Sequence, residues 1–515
     1  MKSNYRSILF SFIIMFFLSL MLSFSSQSMD NTSGESLENI DANENSESNG
    51  NSTKDEINIS NDNISNIVYV DSLGAHGDGV TDDTPFIQAA FDSGNKVVFG
   101  DNKKYKLVSN GIKITNQDIV VEGNNSHIIV DDSYSPSNPD FQKYVFRGSY
   151  TPHDSLRISN LYFDINCSQN NKYSGSNYLC VIHPLFFDHI TLDNVNVNIA
   201  SSENNITAFW MYYGCQQLAM NNCNFTNNTT SESGGILFLH ARTDNHFSRY
   251  NSFDNVQVNN CIFSGTCGDE AIGIWGVNNV NATFNSCTVN WNRACTNGIS
   301  RPISINSSEN GSCTFNVQFK NSNFFCNSAI DSTNCDSFLG VGTVTPSTII
   351  RAKFDNCSFD AHVHGSFLRF QLLNRFPDQI PAFDYCNDRY DIAFSNCDIT
   401  CNKTITGCNS FYDSSSLQNP AIDCAFDNCS IRCKYCVAML ECYSNTPYYY
   451  VPRISLTNNN IAISDSLSVV YMTSKSACGD ISMSGNSISG SGNLSDTGYR
   501  YQTEGSVAQK QRNAP

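Results

Sequence analysis

The chain has 515 residues and a net charge of −18, with 48 acidic against 30 basic side chains. This acidic balance argues against partners that need a basic footprint, so neither nucleic acid nor an anionic membrane surface is expected as a ligand. Hydrophobic residues make up 40% of the chain, which is ample for a folded core and excludes global disorder. Polarity comes mainly from Asn and Ser, as is typical of an exported protein with many turns.

The N-terminus has the pattern of an export signal over residues 1–28. Lys2 and Arg6 precede an apolar run over residues 8–24, and small serines follow where a peptidase would cut. The usual Ala-x-Ala cleavage pattern is missing, so an uncleaved N-terminal anchor is the alternative and the one membrane contact that the sequence suggests. Either form predicts a secreted or cell-surface protein.

Two other segments are polar throughout. Residues 29–62 are predicted as a disordered spacer, because they contain too few apolar side chains to offset the cost of ordering. Residues 498–515 are predicted as a flexible tail for the same reason. The folded domain is therefore expected between residues 64 and 497.

That domain begins with a glycine- and aspartate-rich motif, Gly-Asp-Gly-Val-Thr-Asp-Asp-Thr, starting at Gly77. The glycines permit tight turns, Thr81 or Asp82 is expected to cap a helix, and Pro85 fits its first turn. The motif contains three aspartates, Asp78, Asp82 and Asp83. One interpretation is that they form a catalytic acidic cluster; the other, which we favour, is that they have a structural role in the cap.

The motif, together with the Ile-Gln-Ala-Ala run that ends at residue 90, resembles the start of the pectate-lyase-like superfamily. Members include polygalacturonase-type and rhamnogalacturonase-type enzymes and phage tailspikes. The resemblance implies an all-β fold, a right-handed parallel β-helix whose open end is covered by a short N-terminal helix. It also implies a polysaccharide as the partner, and a monomer or a trimer.

A short repeat occupies the rest of the domain: Asn, a small or apolar residue, any residue, then an aromatic or β-branched one. Its eleven copies begin at Asn160, Asn194, Asn222, Asn260, Ser286, Asn321, Asn356, Asn396, Asn428, Asn458 and Gly485. The copies are about 32 residues apart with variable spacing, which indicates about eleven coils of short strands joined by loops of unequal length. Each leading Asn is expected at a bend, bonded to its equivalents in the coils above and below.

Many of the 22 cysteines fall on the repeat. One column comprises Cys223, Cys261, Cys287, Cys357, Cys397 and Cys429, and a second comprises Cys401 and Cys433. We expect packing thiols in these columns, because stacked side chains point the wrong way for a disulfide. Disulfides are predicted instead for loop cysteines, such as Cys167 with Cys180 and Cys267 with Cys295.

The spacing of Cys429, Cys433 and Cys436 also matches a loop that binds an iron–sulfur cluster. A zinc site formed by these thiols and Cys442 is another interpretation. Both are disfavoured because two of the three thiols belong to the repeat columns. No metal site and no cofactor are predicted.

The most distinctive local sequence runs from residue 265 to 276 and contains Asp269, Glu270 and Trp275. Strict alternation along a strand points Ile272 and Ile274 inward and Trp275 outward, where an exposed ring would suit a sugar. The same alternation points Asp269 outward and Glu270 inward.

Aligning neighbouring coils on this strand predicts a groove for an acidic polysaccharide. The candidate catalytic residues are Glu232, Asp269, Glu270, Arg301 and Asp336, and the candidate substrate-binding residues are Trp275, His240, Arg242 and His364. Paired carboxylates would serve hydrolysis, whereas an arginine would serve β-elimination from a uronate. A hydrogen-bonded turn at residues 268–270 is the structural alternative.

The resemblance weakens at this site. Polygalacturonase-like enzymes have Asn-x-Asp, Asp-Asp, Gly-His-Gly and Arg-x-Lys motifs, and only Asp269-Glu270 approximates one of them. We therefore consider two functions: a hydrolase or lyase acting on a uronate-containing glycan, and a non-catalytic adhesin or carbohydrate-binding rod. A phage-type tailspike is a third possibility, which the export signal argues against.

Overall fold

The computed structural model divides the chain into units 1–65 and 66–515, and its described residues lie in the second unit. They are residues 66–511 except 138–142, 169–177, 201, 232–233, 242–246, 277, 293–300, 308–312, 328–336, 344–346, 373–388, 409–420, 441–451, 466–468, 473–480, 491–497 and 504–505. Their strands form two sheets of 26 and 14 strands, almost wholly parallel. The chain is a right-handed parallel β-helix, which confirms the predicted fold class.

The β-helix starts with a cap and several irregular coils. Its strands are β1 (Ile67–Tyr69), β2 (Asp78–Asp82), β3 (Lys96–Val98), β4 (Lys104–Lys106), β5 (Ile112–Ile114), β6 (Asp118–Asp131), β7 (Tyr144–Gly148), β8 (His153–Asn166) and β9 (Leu179–His183). One α-helix, α1 (Thr84–Ser93), and two short 3-10 helices, Val70–Leu73 and Ser248–Asn251, complete the described elements.

From residue 187 onward the strands follow in sets of three, one for each face of the coil. The first face comprises β10 (Phe187–Asp193), β13 (Cys215–Asn221), β16 (Phe253–Asn259), β19 (Asn279–Asn285), β22 (Cys313–Lys320), β25 (Thr348–Asp355), β28 (Arg389–Ser395), β31 (Ala421–Asp427), β34 (Pro452–Thr457) and β37 (Ile481–Ser484). The second face comprises β11 (Asn196–Ile199), β14 (Asn224–Asn227), β17 (Ile262–Gly265), β20 (Thr288–Trp291), β23 (Asn323–Asn327), β26 (Ser358–His362), β29 (Asp398–Cys401), β32 (Ser430–Cys433), β35 (Asn460–Ile463) and β38 (Ser487–Gly490).

The third face forms the smaller sheet, together with β5, β7 and β9. It comprises β12 (Ile206–Met211), β15 (Leu237–His240), β18 (Glu270–Gly276), β21 (Arg301–Ser307), β24 (Ser337–Thr343), β27 (Ser366–Leu372), β30 (Thr404–Cys408), β33 (Ala438–Leu440), β36 (Val470–Met472) and β39 (Gly498–Thr503). A last strand, β40 (Ser506–Gln511), pairs antiparallel with β39. These two strands lie in the segment that the sequence predicted as a flexible tail.

The repeat marks the bend between the first and second faces. All eleven leading residues have a positive φ, between 51° and 67°. Asn tolerates this left-handed conformation better than most residues, which explains why it recurs there. The predicted ladder is present in part: the side-chain amide of Asn356 donates to Asn321 Oδ1 at 2.8 Å, and that of Asn428 donates to Asn396 Oδ1 at 2.8 Å. The amide of Asn396 instead donates to Asp355 Oδ1 at 2.9 Å, one residue before the equivalent position.

The residues that follow each bend fill the interior. Phe319, Phe354 and Phe394 stack in register on the first face, with ring centroids 4.9 and 4.8 Å apart. This spacing is the distance between neighbouring parallel strands, so each coil adds one ring to a continuous apolar column. Burial of such a column requires neighbouring coils, and therefore no single coil is stable alone.

The cysteine columns pack as thiols, as predicted. Cys223, Cys287 and Cys357 are buried free cysteines. The Cys287 thiol donates to the carbonyl of Asn285 two residues earlier, at 3.5 Å, and to that of Val258 in the preceding coil, at 3.4 Å. Cys357 and the other members of the first column repeat this pattern.

The predicted bridge between Cys167 and Cys180 is wrong. Cys180 is a free, buried cysteine on the third face, with its thiol directed to the carbonyl of Ile182 at 3.3 Å. The Cys167 thiol instead points to the carbonyl of Asp131, 3.8 Å away. Cys295, the proposed partner of Cys267, lies outside the described residues.

The aspartates of the N-terminal motif hold the cap together. Asp83 is buried and accepts backbone N–H groups from His76 and Gly77 at 2.7 and 3.1 Å. It is also the residue that precedes the helix, one position later than predicted, while Asp82 accepts the backbone N–H of Thr84 at 3.1 Å. These contacts give the motif a structural role.

Candidate functional site

The candidate site lies on the outer surface of the third face, where several coils have minimal side chains. Strands β18, β21 and β24 place Gly273, Ser304 and Gly340 in one register column. Their neighbours in sequence, such as Ile272 and Ile303, are fully buried in the core. Because side chains alternate along a strand, this column points away from the core, and we call it the floor. Its three residues are themselves buried, because the side chains of Glu270 and Arg301 lie over the two glycines.

Glu270 lies across this floor. A Cβ atom added at Gly273 would stand 2.2 Å from Glu270 Oε2, so only glycine leaves room for the carboxyl group. Trp275 Nε1 donates a hydrogen bond to the same oxygen at 3.3 Å, and the Ser304 hydroxyl forms a second one with the carboxyl group. The side chain is therefore held by its own strand, through Trp275, and by the following coil, through Ser304.

The position of Glu270 corrects the alternation argument, which pointed it inward. Glu270 is the first residue of β18, directly after a turn, and Ala271 and Ile272 are both fully buried behind it. The turn therefore sets the direction of this side chain, since regular alternation begins only after it.

The environment of Glu270 keeps its carboxyl group protonated at neutral pH. Its pKa is raised from 4.5 to about 8, chiefly by burial and then by the charge of Asp269, against the opposing contributions of Ser304, Arg301 and Trp275. The residue is 7% exposed. A carboxylic acid that retains its proton at pH 7 can donate it to a leaving-group oxygen.

Asp269 stands at the edge of the floor. Its side chain is half-buried, its backbone N–H donates to Gly234 O at 3.1 Å, and its carbonyl accepts from the Arg301 N–H at 3.3 Å. The residue in register with Arg301 is Glu270 and not Asp269, so the predicted column was shifted by one position.

Two arginines occupy the far end of the floor. The Arg301 side chain lies over Gly340, because a Cβ added there would be 2.4 Å from both Cδ and a terminal nitrogen of Arg301. Arg369 is the in-register neighbour of Gly340 on β27. The pKa of Arg369 is lowered to about 10, chiefly by burial and then by the charge of Arg301. The two guanidinium groups thus concentrate positive charge at one place.

The opposite end of the floor is aromatic. A continuous series of ring contacts, with centroids 4.5 to 6.2 Å apart, runs across strands β7 to β18. We call this series the aromatic band, and its members are Tyr144, Tyr178, His183, Trp210, Tyr212, Phe238, His240 and Trp275. His183 and Phe238 are buried, whereas the other six rings are half-buried. Rings with partly exposed edges and polar tips are the usual platform for sugars.

The structure brings together four of the predicted site residues. Glu270 and Arg301 are in register, as are His240 and Trp275, whose rings are 5.6 Å apart. Trp275 is half-buried and not the exposed platform that we expected, because its indole N–H is directed to Glu270.

One candidate lies apart and three cannot be placed. His364 is exposed in the turn before β27, and the residue in register with Ser337 on that strand is Ser366. The alignment placed His364 in the column because it assumed equal loop lengths. The remaining candidates, Glu232, Asp336 and Arg242, lie outside the described residues.

The sequence analysis missed most of the aromatic band and Arg369. The signal was present locally, since Phe209-Trp210-Met211-Tyr212 alternates buried aliphatic or aromatic positions with half-buried rings. What links Trp210 to Tyr144 and His183 is the register of three coils joined by loops of unequal length. That register is not visible in the sequence.

No group of three His, Cys, Asp or Glu side chains among the described residues is arranged to hold a metal ion. Within the same residues, no helix has the length and apolarity needed to span a bilayer.

No protein-family model matches the chain, and no curated protein matches it in sequence. Solved structures similar to it include tailspike protein 3 of bacteriophage CBA120, with 12% identity, a TM-score of 0.40, and coverage of 83% of this chain and 61% of the tailspike. PfbA, a surface adhesin of Streptococcus pneumoniae, has 14% identity, a TM-score of 0.39, and coverage of 87% and 96%. The A-module of the Azotobacter vinelandii mannuronan C-5 epimerase AlgE6 has 13% identity, a TM-score of 0.27, and coverage of 84% and 95%. The chain therefore spans 61% of the length of the tailspike.

Proposed function

We propose that the protein is an extracellular β-helix of the pectate-lyase-like type that binds a polysaccharide on its third face and cleaves a glycosidic bond there. The observation that carries the proposal is the position of Glu270. It combines a pKa of about 8 with a place at the end of the aromatic band. A proton donor beside a sugar platform is the minimum that acid-catalysed glycoside cleavage requires.

In this proposal Glu270 acts as the general acid. It transfers its proton to the oxygen of the leaving sugar as the glycosidic bond breaks, and a water molecule adds to the anomeric carbon. Asp269, the neighbouring carboxylate, accepts the proton from that water. Gly273 and Trp275 hold the donor in place. β-Elimination is the variant in which Arg369, with its pKa of about 10, removes a proton from a uronate ring.

A non-catalytic carbohydrate-binding rod is the second candidate, and one observation favours it. The Glu270 carboxyl group is 7% exposed and already bonded to Trp275 and Ser304, which suits a structural role. The aromatic band would bind sugars without it. The predicted export signal at residues 1–28 and the predicted polar spacer at residues 29–62 accord with either function, since both functions need a β-helix outside the cell.

The test uses the full-length protein against a panel of plant and microbial polysaccharides. Reducing ends and the ultraviolet absorbance of unsaturated products are followed together. Glu270→Gln removes the proton donor with little change in shape, and Asp360→Asn, on the exposed second face, is the matched control. Hydrolysis yields reducing ends alone, whereas elimination yields both reducing ends and ultraviolet absorbance. Whichever signal the wild type produces must disappear in Glu270→Gln and persist in Asp360→Asn. Retention of the glycan without either signal would favour the binding rod.

A further inference from the structure

The third face differs in chemistry on the two sides of Glu270. On one side are the rings of the aromatic band, with Trp210 on β12 and Phe238 on β15. On the other side are the guanidinium groups of Arg301 and Arg369 on β21 and β27. No other charged side chain separates these groups along the register column, which runs from Phe238 through Gly273, Ser304 and Gly340 to Arg369.

The dimensions of the coil fit one sugar to each strand. Neighbouring parallel strands are about 4.8 Å apart, close to the length of a pyranose residue in an extended chain. Trp210 is two strands before Glu270, and Arg369 is three strands after it. A glycan lying along the axis of the β-helix would therefore reach Trp210 with its second residue on one side and Arg369 with its third on the other.

The two sides select different sugars. Aromatic rings bind the apolar faces of neutral pyranoses, and a charged substituent on the sugar adds little to that contact. A guanidinium group matches a carboxylate or sulfate through two parallel hydrogen bonds. Arg369 is half-buried and can make that contact, whereas Arg301 is 7% exposed and acts as a positioning residue that adds charge behind it.

We infer that the ligand is a mixed polysaccharide, in which neutral residues lie on the aromatic band and an anionic residue is bound at Arg369 within about three residues of Glu270. The inference rests on the proposed function for the position of the cleaved bond, which lies between the neutral segment and the anionic residue. Binding of the two segments does not depend on cleavage.

The test is a glycan array of all-neutral, all-anionic and mixed oligosaccharides, with a carboxyl-reduced form of each mixed glycan as the matched ligand. Full-length Glu270→Gln is used so that no ligand is consumed. Mixed glycans should bind most tightly, and carboxyl reduction should weaken binding about ten- to a hundredfold, as expected for loss of a charge-assisted hydrogen bond. Adding Arg369→Gln should abolish this difference without weakening binding of the reduced glycan, whereas adding Trp210→Leu should weaken binding of both.

Each alternative outcome has a definite meaning. Preference for all-neutral or all-anionic glycans, or an effect of carboxyl reduction that survives Arg369→Gln, would overturn the inference. Binding with the expected discrimination but no cleavage by the wild type would overturn the proposed cleavage and leave the inference standing. Absence of binding to every array member would overturn both. Unchanged melting temperatures for the variants exclude misfolding as the cause of any loss.

Discussion

Replacing Glu270 with Gln should remove a steep pH dependence of stability. In the folded chain the pKa of Glu270 is raised from 4.5 to about 8, chiefly by burial. Between these values the folded protein retains a proton that the unfolded chain releases. The contribution of a carboxyl group with a raised pKa is fully present below the unfolded value, and it is lost as the pH rises through the folded value.

The size of the effect on stability follows from this pH range. The free energy of unfolding should fall as the pH rises across it, by about 1.4 kcal/mol for each pH unit. Gln fills nearly the same volume and does not titrate, so the variant should lack this slope. Urea unfolding at a series of pH values between 4.5 and 9 measures the difference between the two proteins, with Asp360→Asn as the control that retains the slope.

A companion variant tests the cause of the shift. The charge of Asp269 raises the pKa of Glu270, so Asp269→Asn should lower that pKa and end the decline in stability at a lower pH. Parallel pH profiles for the wild type and Glu270→Gln would refute the reasoning, because they would mean that Glu270 ionises alike in the folded and unfolded chains.

Three further predictions concern the β-helix itself. Phe354→Ala, which opens a gap between the stacked rings of Phe319 and Phe394, should lower the free energy of unfolding by about 3–5 kcal/mol in urea unfolding. Asn356→Ala, at a φ of 52°, should cost about 1–2 kcal/mol in the same assay, and Asn356→Gly should recover the backbone part of that loss; equal losses would contradict the conformational explanation. Burial raises the pKa of the Cys180 thiol, so a maleimide at pH 8 should modify it only after denaturation, which mass spectrometry of digested protein would detect.

The fold could be predicted because its determinants are local. Each bend needs a residue that tolerates a positive φ, and each inward position needs an apolar side chain, so the repeat records both in a few consecutive residues. The determinants of the N-terminal motif are also local, because Asp83 accepts hydrogen bonds from the backbone of His76 and Gly77 in the same motif.

The site could be predicted only in part, because it depends on contacts between coils. His240 and Trp275 could be grouped because His240 ends an apolar strand beside the one that contains Trp275, and the two residues are in register. Arg369 and Trp210 were missed because their distance from Glu270 depends on loops whose lengths change from coil to coil. The inward assignment of Glu270 failed for a related reason: a turn, and not the strand, sets its direction.

The thiol columns have a consequence for how the chain must fold. Cys223, Cys261 and Cys287 are concealed only once the coils around them have stacked, and each thiol then donates to a carbonyl of the preceding coil. Before the coils stack, the same thiols are accessible to oxidants and can react with one another. In an oxidising compartment, coil stacking therefore competes with disulfide formation, and refolding yield should depend on the reductant present during the first coils' assembly and become indifferent to it afterwards.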